Sequence, residues 1–250
     1  MPTPERDHPF VSRGGVKLRH ALDAFTIDAR GLVCADLGAS TGGFTDCLLQ
    51  AGVARVHALD TAYGELAWKL RNDPRVVVRE RTNALYAEPP AEGVALVVVD
   101  LGWTPQRLVV PAALRWLAPG GRIISLIKPH YERSDRERAA GWDPALASQA
   151  GPEQETTGQR QGLSPAPNPA PNPPPNPAQR SRRVRASPVT AHHLLTDEEA
   201  HAETDRVIAL LPTLGVRVAG VTRSPIRGGS DPKKGNAEWL VLLEPAATRP

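Results

Sequence analysis

The chain contains few cysteine, methionine or aromatic residues, and each shortage argues against a class of protein. Its 250 residues include two cysteines, one methionine and 4% aromatic residues. Cys34 lies in an apolar run and Cys47 in a helical pattern, which favours two buried reduced thiols over a disulfide framework or a metal site. No run approaches the roughly 18 apolar residues of a membrane span, and the first ten residues lack a signal-peptide core. We therefore expect a cytoplasmic protein without a metal.

Proline, by contrast, is abundant and concentrated in one segment. Many of the 26 prolines lie in a Pro/Ala/Asn-rich stretch that precedes the arginine-rich run RSRRVR. Such a composition cannot bury a core, so we predict a disordered insertion at about residues 133–188. The elements after it are too few to fold alone. We predict a disordered N-terminus at 1–8 and a single domain over 9–250, interrupted by this insertion.

Strand and helix patterns alternate between Gly31 and Lys128. The predicted strands are 32–38, 54–60, 75–80, 94–102 and 122–128, and the predicted helices between them are 43–52, 65–73 and 105–121. After the insertion, a helix over 196–215 and strands over 216–223 and 237–245 would complete the sheet edge, with Thr196 as N-cap and Glu199 closing a capping box. The pattern predicts an α/β, Rossmann-like fold with a mostly parallel sheet and helices on both faces.

A glycine-rich run, DLGASTGGF, joins the first predicted strand to the first predicted helix. Glycines there allow a tight turn and close approach to a ligand, and Asp60 ends the next strand where an acid can bind ribose hydroxyls. A purely structural turn and an ordinary strand-end acid remain alternatives. The candidate cofactor contacts are Asp36, Gly38, Ser40, Thr41, Gly42, Gly43, Phe44, Asp60, Thr82 and Asn83.

The two cofactors compatible with this loop are NAD and S-adenosylmethionine. Asp36 favours the latter, because an acid beside the loop repels a pyrophosphate but suits a sulfonium and an ammonium. Thr82 and Asn83 follow the third strand, where an adenine edge could be recognised. A simple turn explains them equally well.

Asp100 and Lys128 end two predicted strands that face the same crevice. A lysine at the end of a central apolar strand is costly unless it is paired or used. A desolvated lysine with a depressed pKa could accept the proton of a ribose hydroxyl. A plain Lys–Asp ion pair that stiffens the strand ends is the alternative.

Several long blocks of the sequence lie within Pro9–Glu132 and Ser187–Glu244, namely SRGGVKL, DLGASTGGFTDCLLQAG, YGELAWKLRNDPRV, ERTNA, LIKPHYE and SPI…KKGNAEWL. Together these blocks resemble the hemolysin A (TlyA-type) family of FtsJ-like methyltransferases. The resemblance implies a class I methyltransferase fold, S-adenosylmethionine as cofactor, and methylation of cytidine 2′-hydroxyls in ribosomal RNA. Unlike typical members, the chain has no room for an RNA-binding domain before Pro9 and carries LGWTP in place of VSFIS after Asp100.

The resemblance also implies a catalytic Lys-Asp-Lys-Glu set. By motif position its members are Lys17, Asp100, Lys128 and Glu238, with Lys128 as general base. Without the resemblance, Lys17 would pass as a solvated helix lysine and Glu238 as a surface residue of an edge strand.

The mild basic character of the chain, with a net charge of +3, is compatible with RNA as a partner. We hypothesise one positive face that holds the RNA backbone, and scattered solvated charges are the alternative. Its members are Arg13, Lys17, Arg19, Arg223, Arg227, Lys233 and Lys234. A non-catalytic RNA-binding or ribosome-assembly protein with the same fold is the competing function, whereas a pore-forming hemolysin is disfavoured because no segment suits a membrane.

Overall fold

Seven strands form one sheet in the computed structural model, which describes residues 8–140, 194–229 and 235–246. The strands are β1 (Val33–Leu37), β2 (Arg55–Leu59), β3 (Val76–Arg79), β4 (Val94–Val99), β5 (Leu117–Ile127), β6 (Val216–Arg223) and β7 (Trp239–Pro245). The helices are α1 (Gly14–Ala24), α2 (Gly43–Gln50), α3 (Trp68–Arg71), α4 (Gln106–Leu114), α5 (Pro129–Ala140) and α6 (Asp197–Leu210), and a 3-10 turn over Leu211–Leu214 follows α6.

The strand order places a ligand crevice near the middle of the sheet. The order is β3-β2-β1-β4-β5-β7-β6, and the first five strands run parallel. β7 is antiparallel to both of its neighbours. The chain builds outward from β1 to β3 and then returns to β4 on the other side of β1. This reversal opens a crevice at the carboxyl ends of β1 and β4, where open α/β sheets bind ligands.

Both faces of the sheet are covered by helices. Alternate residues of each strand point to opposite faces, so Cys34 packs with α1 and α2 while Ala35 packs with α4 and α6. Cys34 and Cys47 are buried free thiols, and burial raises the pKa of each to about 12. The predicted α/β fold, with a mostly parallel sheet between two helical layers, is confirmed.

The described residues from 194 onward complete the sheet edge as predicted. Thr196 caps α6 by accepting a hydrogen bond from Glu199 N–H at 3.1 Å, and the Glu199 carboxylate accepts one from Thr196 N–H at 3.0 Å. This is the capping box that the sequence indicated. The described residues on both sides of the gap belong to one compact unit; a second unit, residues 140–192, lies outside the described residues apart from Ala140.

The predicted start of the insertion, at about residue 133, is too early. Residues 133–140 continue α5 instead of being disordered. This polar helix is stabilised by ion pairs that sequence periodicity does not reveal, since Arg133 contacts Glu199 and Arg136 contacts Glu203, both at 2.9 Å across to α6. The rest of the predicted insertion from residue 141, and the predicted disordered N-terminus up to residue 7, lie outside the described residues.

Two predicted helices are shorter in the structure. The helix expected over 65–73 is reduced to α3, and the helix expected over 105–121 ends at Leu114. Residues 117–121 instead extend β5, because Leu117 pairs with Val94 across a register shift.

Among the helices of the described residues, none is long and apolar enough to cross a membrane.

Candidate active site

A cavity of about 620 Å³ opens at the carboxyl ends of β1, β2 and β4, a volume that suits a small-molecule ligand. It brings together residues from most of the N-terminal half of the chain. Eleven of the predicted site residues line it directly: Lys17, Gly38, Ser40, Thr41, Gly43, Phe44, Asp60, Thr82, Asn83, Asp100 and Lys128. Their other neighbours in the wall include Ser12, Arg13, Gly14, Leu101, Trp103 and Gly229.

The loop between β1 and α2 forms one wall, and its glycines are required by space. Gly38 has φ +94°, and a Cβ there would lie 2.8 Å from the Asp100 carbonyl oxygen. A Cβ at Gly43 would lie 2.2 Å from Ser12 Oγ at the start of α1. Larger residues would therefore push apart the segments that enclose the cavity.

Asp60, which follows β2, lies in the cavity with a fixed carboxylate. Its oxygens accept hydrogen bonds from Ser40 N–H at 2.7 Å and Ala62 N–H at 2.8 Å. A carboxylate offers about four acceptor positions, so two remain for donors such as ribose hydroxyls. The loop and Asp60 therefore form one preorganised unit, as their spacing predicted.

Thr82 and Asn83 line the cavity and also form the turn that was the alternative interpretation. Thr82 Oγ1 donates to the Glu80 carbonyl at 2.9 Å, and Asn83 Oδ1 accepts from Leu85 N–H at 3.0 Å. The turn presents both residues to the cavity, so the two interpretations are compatible. Contact with an adenine stays a prediction.

Two predicted contacts, Asp36 and Gly42, do not line the cavity. Asp36 is fully buried on the face covered by α2, where it accepts a hydrogen bond from Thr45 Oγ1 at 2.6 Å. Burial raises the pKa of Asp36 to about 7, and Asp100 and Asp60 add to the rise. Asp36 is therefore not part of the cavity wall, and its interaction with a cationic ligand stays a prediction.

Gly42 has a packing role. It adopts φ +97° at the start of α2, and a Cβ there would meet the Leu70 side chain at 2.2 Å. Its small size lets α3 pack against the loop. Glu238 also stands outside the wall of the cavity, behind Lys17.

Lys128 and Asp100 form an ion pair inside the cavity. Lys128 Nζ lies 2.5 Å from Asp100 Oδ1 and 3.4 Å from the Leu101 carbonyl oxygen. Each residue follows the last residue of a parallel strand, β5 and β4, and these strands are neighbours. The predicted meeting of the two side chains at one crevice is confirmed.

The charge state of Lys128 corrects the prediction of a depressed pKa. Burial alone lowers the pKa of Lys128, but the Asp100 carboxylate, with a smaller contribution from Glu238, outweighs burial and raises it above its ordinary value. Burial likewise raises the pKa of Asp100, yet Lys128 and Lys17 lower it by more. Lys128 is therefore an ammonium ion paired with a carboxylate in this structure.

Lys17 and Glu238 form a second ion pair beside the first. Lys17 Nζ lies 2.5 Å from Glu238 Oε2, and the side chains are 10% and 3% exposed, respectively. Burial raises the pKa of Glu238 above its ordinary value even though Lys17 lowers it. Taken without the resemblance, the sequence suggested two surface residues here; both are in fact buried.

Sequence reasoning missed the aromatic mouth of the cavity. Trp103 is half-exposed and stacks on Tyr131, with ring centroids 4.6 Å apart. The centroid of the Tyr131 ring in turn lies 5.8 Å from Lys128 Nζ. The only sequence signal was the departure LGWTP after Asp100, which places Trp103 at this position.

The hypothesised positive face is only partly assembled by the structure. Arg13 lines the cavity, contacts the Gly229 carbonyl oxygen, and keeps one buried guanidinium nitrogen without a hydrogen-bond partner. Arg223 and Arg227 both pair with Asp197 at 2.7 Å, which offsets their charge. Arg19 pairs with Asp23 on α1, and Lys233 and Lys234 lie outside the described residues. A continuous RNA-binding face stays a hypothesis.

A family model described as FtsJ-like methyltransferase matches residues 10–141, just over half of the chain. The chain belongs to the FtsJ-like methyltransferase family. The match includes the glycine-rich loop, Asp60, and the Lys17, Asp100 and Lys128 side chains. Glu238 lies beyond the matched residues, and its contact with Lys17 places it beside the matched part of the site.

Individual relatives agree with this membership. The chain is 50% identical over 130 residues to the 16S/23S rRNA (cytidine-2′-O)-methyltransferase TlyA of Mycobacterium tuberculosis, covering 51% of this chain and 48% of that one. It is 40% identical over 126 residues to hemolysin A of Brachyspira hyodysenteriae, covering 49% and 52%. A solved structure described as a hemolysin from Streptococcus thermophilus superposes with a TM-score of 0.68 at 29% identity, covering 98% of this chain and 70% of that one. The chain spans about half the length of the curated relatives it matches.

Proposed function

We propose that the chain is an S-adenosylmethionine-dependent enzyme that methylates the ribose 2′-hydroxyl of a ribosomal RNA cytidine. The observation that carries this proposal is the Lys128–Asp100 pair, held in a cavity whose other wall is a glycine-rich loop hydrogen-bonded to Asp60. Family membership supplies the reaction class. The TlyA relative supplies the candidate substrate.

The cavity residues fit S-adenosylmethionine. Asp60 offers free acceptor positions for ribose hydroxyls, Gly38 leaves the space that a Cβ would fill, and Thr82 and Asn83 line the same cavity and would be the contacts of an adenine edge. When bound, this cofactor supplies an electrophilic methyl group on a cationic sulfonium. The chain's own residues must then bring a ribose oxygen to that methyl group and remove its proton.

Lys128 has to lose its own proton before it can accept one from ribose. Lys128, whose side chain is 15% exposed, would release that proton to solvent once the like charge of a bound sulfonium lowered its pKa. Asp100 then orients the neutral amine by accepting one of its N–H groups, which leaves the nitrogen lone pair for the hydroxyl proton. Lys17, fixed by Glu238, keeps a second positive charge near the reacting oxygen. Most of the acceleration is expected to come from this positioning.

Transfer of labelled methyl from S-adenosylmethionine to ribosomal subunits and to naked ribosomal RNA tests the proposal. We expect label on ribose with the wild-type chain and none with Lys128→Ala. Lys69→Ala is the matched control, because Lys69 lies on α3 and pairs with Asp46 outside the cavity wall. Cofactor binding without transfer to any RNA would contradict methylation and favour the non-catalytic RNA-binding alternative.

A further inference from the structure

The N-terminus of α4 has no local capping side chain. Its N-cap position is Pro105, which carries no side-chain acceptor. The first N–H group of the helix, that of Gln106, instead donates to Glu132 Oε1 on α5 at 2.9 Å. Both residues are buried. A carboxylate is favourable at a helix N-terminus, because it satisfies a free N–H group and complements the helix dipole.

Gln106 carries this connection on to β5. Its side-chain Nε2 donates to the Leu126 carbonyl at 3.2 Å, and its Oε1 accepts from Ser125 Oγ at 2.8 Å. Ser125 and Leu126 lie three and two residues before Lys128, respectively. The start of α4 is thereby fixed to the strand end that presents the lysine.

Glu132 belongs to the helical turn that begins at Lys128. The Lys128 carbonyl accepts from Tyr131 N–H at 2.9 Å and from Glu132 N–H at 3.3 Å. On the other side, α4 follows the segment 101–105, which starts next to Asp100 and whose residues 101–104 line the cavity. Glu132 therefore joins the segment that follows Asp100 to the turn that follows Lys128.

We propose that Glu132 is a positioning residue that holds Lys128 Nζ against Asp100 by accepting the Gln106 N–H. This inference rests on the proposed function, since the pair it positions is the one assigned to proton transfer. Glu132 lines no part of the cavity, so it acts on the pair only through α4, β5 and α5.

Glu132 can accept the Gln106 N–H in either protonation state. Burial raises the pKa of Glu132 to about 7; the Gln106 N–H lowers it, Asp135 and Glu203 raise it, and Arg107 lowers it. Both the acid and the carboxylate can accept a hydrogen bond through Oε1. An amide oxygen at the same place can do so too.

The test compares three substitutions at this position. Glu132→Gln keeps an acceptor at the same distance, Glu132→Asp keeps the charge but withdraws it by one methylene, and Glu132→Ala removes both. We expect the Asp and Ala variants to lower kcat for methyl transfer by about tenfold or more, because small displacements of reacting groups are costly. We expect Glu132→Gln to stay near wild type, and the Kd for S-adenosylmethionine to be unchanged in all three.

A second readout does not need methyl transfer. Acylation by isotopically labelled acetic anhydride, read by peptide mass spectrometry, reports the reactivity of Lys128 relative to Lys69. Release of Lys128 from Asp100 is expected to raise this ratio several-fold in Glu132→Asp and Glu132→Ala and to leave it unchanged in Glu132→Gln. Glu137→Asp and Glu137→Ala are matched controls on α5, because Glu137 is an exposed partner of Arg133.

The outcomes separate this inference from the proposed function. A wild-type chain that transfers no methyl group overturns the proposed function, while the lysine ratio still decides whether Glu132 positions Lys128. An unchanged ratio in folded Glu132→Asp, or equal ratios in the Gln and Asp variants, would overturn the positioning role. If Glu132→Ala fails to fold by circular dichroism, the comparison of Gln with Asp gives the answer.

Discussion

Replacing Lys17 by methionine leaves the Glu238 carboxyl buried without its ionic partner. Lys17 Nζ lies 2.5 Å from Glu238 Oε2, and the Glu238 side chain is 3% exposed. Burial already holds the pKa of Glu238 above its ordinary value. Loss of the neighbouring ammonium raises that pKa further, so the carboxyl takes up a proton at a higher pH.

Protonation limits how much the substitution can destabilise the fold. The unfolded carboxyl has a pKa of about 4.3, and each pH unit corresponds to about 1.36 kcal/mol. The cost of a neutral Glu238 is therefore about 5 kcal/mol at pH 8 and about 1.6 kcal/mol at pH 5.5. Removing one partner of a buried pair costs about 3–5 kcal/mol. We expect Lys17→Met to lower the free energy of unfolding by about 3–5 kcal/mol at pH 8 and by less than about 2 kcal/mol at pH 5.5.

The sign of this pH dependence follows from proton binding. The folded variant binds the Glu238 proton more tightly than the unfolded chain does, so its stability falls as the pH rises above about 4.3. Urea unfolding at pH 8 and pH 5.5 measures the effect. The double variant Lys17→Met with Glu238→Gln should recover most of the loss at pH 8, because the amide carries no charge.

Lys128→Met is the matched comparison for this experiment. This substitution leaves Asp100 without Lys128, but the Asp100 side chain is 22% exposed and still near Lys17. We therefore expect a smaller loss in the free energy of unfolding than for Lys17→Met. If Lys17→Met lowers the free energy of unfolding by the same amount at pH 8 and pH 5.5, the reasoning is refuted. A double variant that is no more stable than the single one at pH 8 would refute it too.

Three further predictions address the cofactor, the substrate and the fold. Asp60→Ala should weaken S-adenosylmethionine binding at least tenfold by isothermal titration, because it removes the ribose acceptors and releases Ser40 N–H; unchanged affinity would exclude Asp60 from the cofactor site. We hypothesise that a substrate base stacks on the half-exposed Trp103 ring at the cavity, so Trp103→Ala should raise KM for RNA without changing cofactor affinity, since one base–aromatic contact is worth about 1–3 kcal/mol; an unaltered KM would contradict this stacking. Thr196→Ala should lower the free energy of unfolding by about 1 kcal/mol through loss of the α6 cap; no loss in urea unfolding would mean that the capping box is replaced by water.

Much of the fold and part of the site could be predicted because their signals are local. The order of strands and helices follows from apolar periodicity, and the carboxyl ends of parallel strands meet at one edge of a sheet. Asp60, Asp100 and Lys128 could therefore be placed together from their positions at strand ends. The cap at Thr196 depended on four consecutive residues, and it too was confirmed.

Other features depend on contacts between distant parts of the chain. Lys17 and Glu238 are separated by 221 positions, and only the family resemblance indicated that they belong to one site. The ion pairs of α5 with α6 join segments that are separated by a gap in the described residues, so no local pattern indicates them. Glu132 was missed because nothing in its local sequence shows that it caps α4.

The sequence by itself determined the order of the elements, the glycine-rich loop and the chemical groups available at the strand ends. These depend on backbone sterics and on the alternation of apolar and polar residues over short distances. The tertiary structure decided the charge state of those groups, since burial and the neighbouring charge act on a pKa through space. That is why Lys128 is an ion-paired ammonium and why the pKa of the buried Asp36 is raised to about 7.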